Sequence, residues 1–188
     1  MKKFILASGN KGKLAEFRAM LGDVISPKDL GINLDVEETG DTFYDNALIK
    51  ARALYELTKL PALADDSGLC VDALGGAPGV FSARYSGGDD KDNNNKLLDA
   101  LKGATDRSAH FECCIVYYDG KDIISATGRT YGVIADSMRG GGGFGYDPLF
   151  ISDDLGKTFG EASEDEKNRV SHRARALAAL VAQLDEIN

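Results

Sequence analysis

Two adjacent carboxylates, Asp65 and Asp66, stand between the short apolar run Leu60-Pro61-Ala62-Leu63-Ala64 and Ser67-Gly68. The run reads as a buried strand, the acidic pair as its exit and Ser-Gly as a turn. Strand exits are where open α/β sheets build their sites. Neighbouring carboxylates repel, so burying both without a cation forces one to take up a proton. A divalent metal resolves that conflict, and an oxygen-only ligand set suits Mg²⁺. The alternative is an Asp-Asp pair on a solvated surface turn.

Positive charge is concentrated elsewhere. Residues 1–13 carry Lys2, Lys3, Lys11 and Lys13 and no acid. Within them, Ser8-Gly9-Asn10-Lys11-Gly12-Lys13 falls where a strand turns into a helix. Free backbone N–H groups and the helix dipole make such a turn an anion site. The dipole disfavours lysines in a first helical turn, and a bound phosphate would relieve that conflict. An ordinary exposed helix start is the other reading, and the P-loop spacing G-x-x-x-x-G-K-[ST] is absent.

Three further stretches could add to a site. Glu37-Glu38-Thr39-Gly40-Asp41-Thr42 precedes a helical segment in which Asn46 and Lys50, four apart, share a face. Such a loop and lysine could supply a metal ligand and a phosphate contact, or simply form a solvated helix start. In Arg139-Gly140-Gly141-Gly142-Gly143-Phe144-Gly145-Tyr146-Asp147-Pro148, the glycines permit close backbone approach to a ligand and the aromatics can stack on a base. A glycine run is also the composition of a flexible surface loop. Lys167, Ser171, His172 and Arg173 bring cationic donors to the last helix, and such donors can recognise a purine by its 6-oxo group and ring nitrogen.

These residues need a frame. Residues 3–8 read as a first strand, Asn10 as a cap and residues 11–21 as a helix with Leu14, Phe17 and Leu21 on its apolar face. Asp41 or Thr42 caps a second helix to about residue 59, with Phe43, Ala47, Ala51 and Leu54 inward. Residues 62–65 and 69–71 read as short strands, and 92–101 as a helix. Residues 109–118 and 121–130 flank Asp119-Gly120, a two-residue hairpin signal. Residues 131–135 add a further strand. The last helix opens on the capping box Ser163-Glu164-Asp165-Glu166, carries Val170, Leu177, Val181 and Leu184 on one face, and breaks at Ser171. Strands alternating with helices around an antiparallel hairpin define an α/β protein with a mixed sheet.

Composition narrows the function. With 188 residues, 43% of them hydrophobic, the chain is long enough for one domain with a real core. A formal charge of −8 argues against duplex nucleic acid as a partner, although a small polyanion fits the local lysines. The apolar run at residues 4–7 is too short for a secretory core or a membrane span. Cys70, Cys113 and Cys114 lack a Cys-x-x-Cys spacing and read as reduced core residues of a cytosolic protein.

Taken together, the chain resembles the inosine triphosphate pyrophosphatases, the pyrophosphatases of non-standard purine nucleoside triphosphates. The matching blocks are Ser8-Gly9-Asn10-Lys11-Gly12-Lys13, then Glu37-Glu38-Thr39-Gly40 with Asn46-Ala47 and Lys50-Ala51, then residues 64–69. Gly75-Gly76-Ala77-Pro78-Gly79 with Ser82-Ala83-Arg84-Tyr85, Phe144-Gly145-Tyr146-Asp147-Pro148 and Ser171-His172-Arg173 follow in the family's order. The resemblance implies one two-lobed domain over residues 1–188, built on an elongated mixed sheet flanked by helices, with the active site in the cleft between the lobes. It implies a cytoplasmic homodimer that converts ITP, dITP and XTP to the monophosphate and pyrophosphate, independent of membrane or duplex nucleic acid.

Carried over residue by residue, the resemblance gives Ser8, Gly9, Asn10, Lys11, Gly12 and Lys13 the triphosphate, joined by Lys50. Glu38 and Asp66 would bind Mg²⁺, with Asp66 also the general base and Asp65 its support. Ser67 would touch the substrate and Phe144 would stack on the base. Gly145, Tyr146, Asp147, Lys167, His172 and Arg173 would complete the nucleoside pocket. A pyrophosphatase of modified pyrimidine nucleotides and a non-catalytic nucleotide sensor are the competing functions.

Overall fold

The computed structural model describes residues 4–187; Lys2, Lys3 and the expected start of the first strand at Lys3 lie outside them. Among the described residues, six strands form one sheet in the order β2-β1-β3-β4-β5-β6. They are β1 (Phe4–Leu6), β2 (Val24–Ile25), β3 (Ala62–Val71), β4 (Ser108–Tyr118), β5 (Ile123–Ile134) and β6 (Phe150–Ser152). The helices are α1 (Lys11–Leu21), α2 (Phe43–Thr58), α3 (Asp90–Ala100), α4 (Glu164–Val170) and α5 (His172–Ile187). β1 runs parallel to β2 and β3, with Ile5 opposite Ala62, whereas β5 and β6 are antiparallel, with Gly132 opposite Ser152. The sheet is therefore mixed, as its sequence pattern requires.

The helix boundaries follow from capping. Asn10 accepts Lys13 N–H at 3.0 Å to start α1. Thr42 accepts Asp45 N–H at 3.1 Å to start α2. α3 begins two residues before its expected start, because Asp89 and Asp92 form a reciprocal capping box. Ser163 and Glu166 form the box expected at α4, and extended backbone at Ser171 (φ −67°, ψ 154°) separates α4 from α5.

Three further features differ from the sequence reading. β3 is one continuous strand through Asp65, Asp66, Ser67 and Gly68, so no turn forms after the acidic pair. Residues 131–134 continue β5 instead of forming a separate strand. β2 and β6, of two and three residues, are too short to show a period in the sequence.

The chain divides into two compact units, one comprising Met1–Asp66, Cys113–Gly128 and Arg173–Asn188, the other Ser67–Glu112 and Arg129–His172. The first has a core that includes Leu6, Phe17, Leu63, Ile115 and Leu180; the second has one that includes Leu69, Leu97, Phe111, Phe150 and Phe159. Each fully buried Leu or Phe contributes about 1.5–3 kcal/mol relative to exposure. Cys113 and Cys114 are buried and Cys70 is half-buried, all as free thiols.

Candidate active site

In the first unit, β3 presents its two carboxylates to different neighbours. Consecutive strand residues point to opposite faces. Leu63 and Asp65 share one face, and Leu63 packs in the core with Phe17 of α1 and Leu180 of α5. Asp65 meets cations from those same helices: Lys13 Nζ at 2.9 Å and Arg173 Nε at 3.3 Å. Arg173 also pairs with Glu16 of α1. Cys113 Sγ lies 3.9 Å from the same Asp65 oxygen.

Asp66 looks the other way, toward α2. Its Oδ2 accepts a hydrogen bond from Asn46 Nδ2 at 3.0 Å, and Asn46 Oδ1 accepts Gly40 N–H at 2.8 Å. Lys50, one turn further along α2, places Nζ 3.0 Å from Glu38 Oε1 and 3.8 Å from Asp66 Oδ1. The loop before α2 and the helix itself thus meet at Asp66. Asn46 belongs to this centre although the sequence reading left it outside the site; its shared face with Lys50 was the available signal.

Electrostatics separates the two neighbours. Burial raises the pKa of Asp65, but Lys13, Arg173 and Lys50 outweigh it and hold the carboxyl well below its usual range. Burial also raises Asp66, and there it prevails over Lys50 and Lys13, with Glu38 adding to the upward shift. Asp65 is thus a fixed anion, and Asp66 is the more basic of the pair. Lys50 loses solvation, yet the charges of Asp65, Asp66 and Glu38 raise its pKa and keep it cationic.

At the strand-to-helix turn, Asn10 N–H donates to Ser8 Oγ at 3.2 Å, and Gly9, Asn10 and Lys11 are exposed. The first turn of α1 contains no acidic residue. Its orphan N–H groups and Lys11 are available to an anion. Lys13 is paired with Asp65, which also pairs with Arg173.

No group of three or more His, Cys, Asp or Glu side chains among the described residues is placed to hold a metal ion. Mg²⁺ needs less from a protein, since it keeps waters and takes substrate phosphates beside one or two carboxylates. Glu38 and Asp66, oxygen donors that converge on one ammonium group, fit that requirement.

The second unit gathers the glycine-rich segment. Asp147 Oδ2 accepts Phe144 N–H at 3.0 Å and Lys167 Nζ at 2.6 Å. Lys167 Nζ lies 4.6 Å from the Phe144 ring centroid and 5.7 Å from that of Phe159, within cation–π range of both rings. Gly143, at φ +72°, passes so close that a Cβ would collide with Asp147 Oδ2. Phe144 and Gly145 are half-buried. Tyr146 is a packing anchor: its ring is in the core and its hydroxyl donates to Ser82 C=O at 2.7 Å. His172 is buried, stacked on Phe111 with centroids 4.8 Å apart. Ser67 is half-buried in β3 at the start of this unit.

Arg173, read from the sequence as a nucleoside contact, is 1% exposed and pairs with Glu16 and Asp65 in the first unit. A buried guanidinium requires carboxylate partners, and Asp65 and Glu16 supply them. Glu16 went unnoticed because it reads as an ordinary polar helix position.

A mixed α/β sheet with an acid–lysine centre on one strand and a strand-to-helix anion turn beside it defines a protein built for a phosphorylated ligand. The chain belongs to the Ham1 family, whose model matches residues 4–183. It is 52% identical over 196 residues to a dITP/XTP pyrophosphatase of Ralstonia nicotianae, covering 98% of this chain and 97% of that protein. It is 48% identical over 186 residues to a dITP/XTP pyrophosphatase of Treponema denticola, covering 95% and 96%. The solved Ham1 protein of Staphylococcus aureus superposes with a TM-score of 0.89 at 41% identity, over all of both chains.

Proposed function

We propose that the chain hydrolyses the non-standard purine nucleoside triphosphates ITP, dITP and XTP to the nucleoside monophosphate and pyrophosphate. The observation that carries this reading is the placement of Asp66, the more basic carboxylate, within reach of Asn46 and Lys50. The near full-length likeness to two dITP/XTP pyrophosphatases supports the choice of substrate.

Ser8, Gly9, Asn10, Lys11, Gly12 and Lys13 hold the triphosphate, and Lys50 adds a charge near the reacting phosphorus. Asp66 accepts a proton from the attacking water as its oxygen bonds to the α-phosphorus. The bond from that phosphorus to the bridging oxygen breaks, and pyrophosphate leaves with the electron pair. Such a reaction calls for positioning and charge neutralisation more than for a covalent nucleophile. Glu38 and Asp66 would hold Mg²⁺, which when bound supplies charge neutralisation and a more acidic water. Asp65, kept ionised by Lys13 and Arg173, supports Asp66 through the shared strand.

Phe144 stacks on the base, Ser67 touches the nucleotide, and Gly145, Tyr146, Asp147, Lys167, His172 and Arg173 complete the nucleoside contacts. Donors aimed at a 6-oxo group are left unpaired by a 6-amino base, a mismatch that can reach ~10⁴-fold. We also infer a homodimer, supported by the family resemblance, and a cytoplasmic location, supported by the three free thiols. No described helix is long and apolar enough to cross a membrane.

The test is incubation with Mg²⁺ and ITP, dITP, XTP, GTP or ATP, measuring pyrophosphate separately from phosphate. Pyrophosphate from the first three is the expected result. Phosphate alone would mean cleavage at the γ-position, and ITP binding without turnover would mean a sensor. Light scattering of the eluted protein checks the dimer.

A further inference from the structure

Two side chains one turn apart on α3 hold both polar groups of a single backbone residue beside Phe144. Asp90 Oδ2 accepts Gly145 N–H at 2.7 Å, and Asn94 Nδ2 donates to Gly145 C=O at 2.9 Å. Residues four apart share a helix face, so this face offers one acceptor and one donor spaced for one residue. Asn94 is 2% exposed, and its Nδ2 also donates to Asp90 C=O at 2.7 Å. Both of its partners are carbonyl oxygens, which fixes the amide in the donating orientation.

The helix that carries this grip is itself anchored. Its start is closed by the Asp89–Asp92 capping box, and Leu97 is buried in the core. Asn93 Nδ2 donates to Ala83 C=O at 3.2 Å, while its Oδ1 accepts Ser86 N–H at 2.7 Å. Gly145 lies at φ +60°, in the left-handed region, and is separated from a run of four glycines only by Phe144. Glycine loses more conformational freedom on ordering than any other residue, so a segment of this composition holds one shape only when its backbone groups are bound.

We propose that Asp90 and Asn94 are positioning residues that preset the backbone at Gly145 and so hold the Phe144 ring ready for the base. The role rests on the reading of Phe144 as the stacking residue. Neither side chain needs to touch the substrate; both act through Gly145. Presetting the segment in the free enzyme removes an ordering cost from substrate binding, so its effect falls on KM.

Amide hydrogen exchange in the unliganded protein reads the grip without reference to activity. Asp90→Ala should speed exchange at Gly145 by roughly tenfold, as expected on losing a hydrogen bond to a charged acceptor. Asp90→Asn, which keeps an acceptor oxygen, should restore most of the protection. Asp90 is exposed, so its variants report on the grip even if Asn94→Ala fails to fold. In steady-state kinetics, Asp90→Ala should raise KM several-fold with kcat little changed, and should add nothing in a Phe144→Ala background. Unchanged exchange at Gly145, or the same KM effect with and without Phe144, overturns the proposal. An unchanged KM in Phe144→Ala overturns the stacking reading and this role with it, and the exchange result tells that failure from a failure of the grip.

Discussion

Asp65 and Asp66 are chain neighbours that answer to different helices. Asp65 pairs with Lys13 of α1 and Arg173 of α5, whereas Asp66 accepts from Asn46 and faces Lys50 on α2. Strand alternation makes the division possible, and the unequal counter-charges give it consequence: one carboxylate is held ionised and the other is made more basic.

Asp66→Asn keeps the shape and the Asn46 contact but removes the proton acceptor. We expect kcat to fall by roughly 10²–10⁴-fold, the usual range for a general base. Far-ultraviolet circular dichroism should remain that of the wild type. Pyrophosphate release at an undiminished rate would rule Asp66 out as the base.

Asp65→Asn tests the fixed anion. It takes one carboxylate away from Arg173, which is 1% exposed and also pairs with Glu16. Breaking a buried pair in this way costs about 3 kcal/mol at neutral pH, which urea unfolding can measure. pH adds a signature. The folded-state pKa of Asp65 lies below its unfolded value, so its stabilisation is complete above the unfolded pKa and is lost as pH falls through the folded one. Wild-type stability should therefore decline from about pH 4 downward, more steeply than in Asp65→Asn. Equal slopes for the two proteins would remove Asp65 as the source.

Lys50→Met takes away the cation between Glu38 and Asp66. Turnover should drop by roughly 10²-fold or more, in line with losing one group that stabilises transition-state charge. The measurement is kcat at saturating ITP and Mg²⁺.

Metal removal offers a separate check on Glu38 and Asp66. Chelation with EDTA should abolish pyrophosphate release, and added Mg²⁺ should restore it. Glu38→Gln should require more Mg²⁺ for half-maximal rate. Full activity after exhaustive chelation would exclude the metal.

Phe144→Ala should raise KM for ITP by roughly tenfold, given that aromatic stacking on a base contributes about 1–3 kcal/mol. Its effect on kcat should be small. A change confined to kcat would place the ring elsewhere in the reaction.

Much of this protein was legible in its sequence because the signals were local. The caps at Asn10, Thr42 and Ser163, the break at Ser171 and the apolar spacing of Phe43, Ala47, Ala51 and Leu54 act over one or two helical turns, and each recurs in the fold. The acidic pair, the lysines and the glycine-rich segment were visible as residue types before their partners were known. What tertiary structure decided was who meets whom. Arg173 meets Glu16 of α1, 157 positions away. Asp90 and Asn94 reach Gly145 across 55 and 51 positions. No periodicity encodes such pairings, because they depend on how separate elements dock and on which buried charge most needs a partner. The same limit applies to Asp65 and Asp66: the sequence placed two carboxylates side by side, and only the uninterrupted strand turned them to opposite faces.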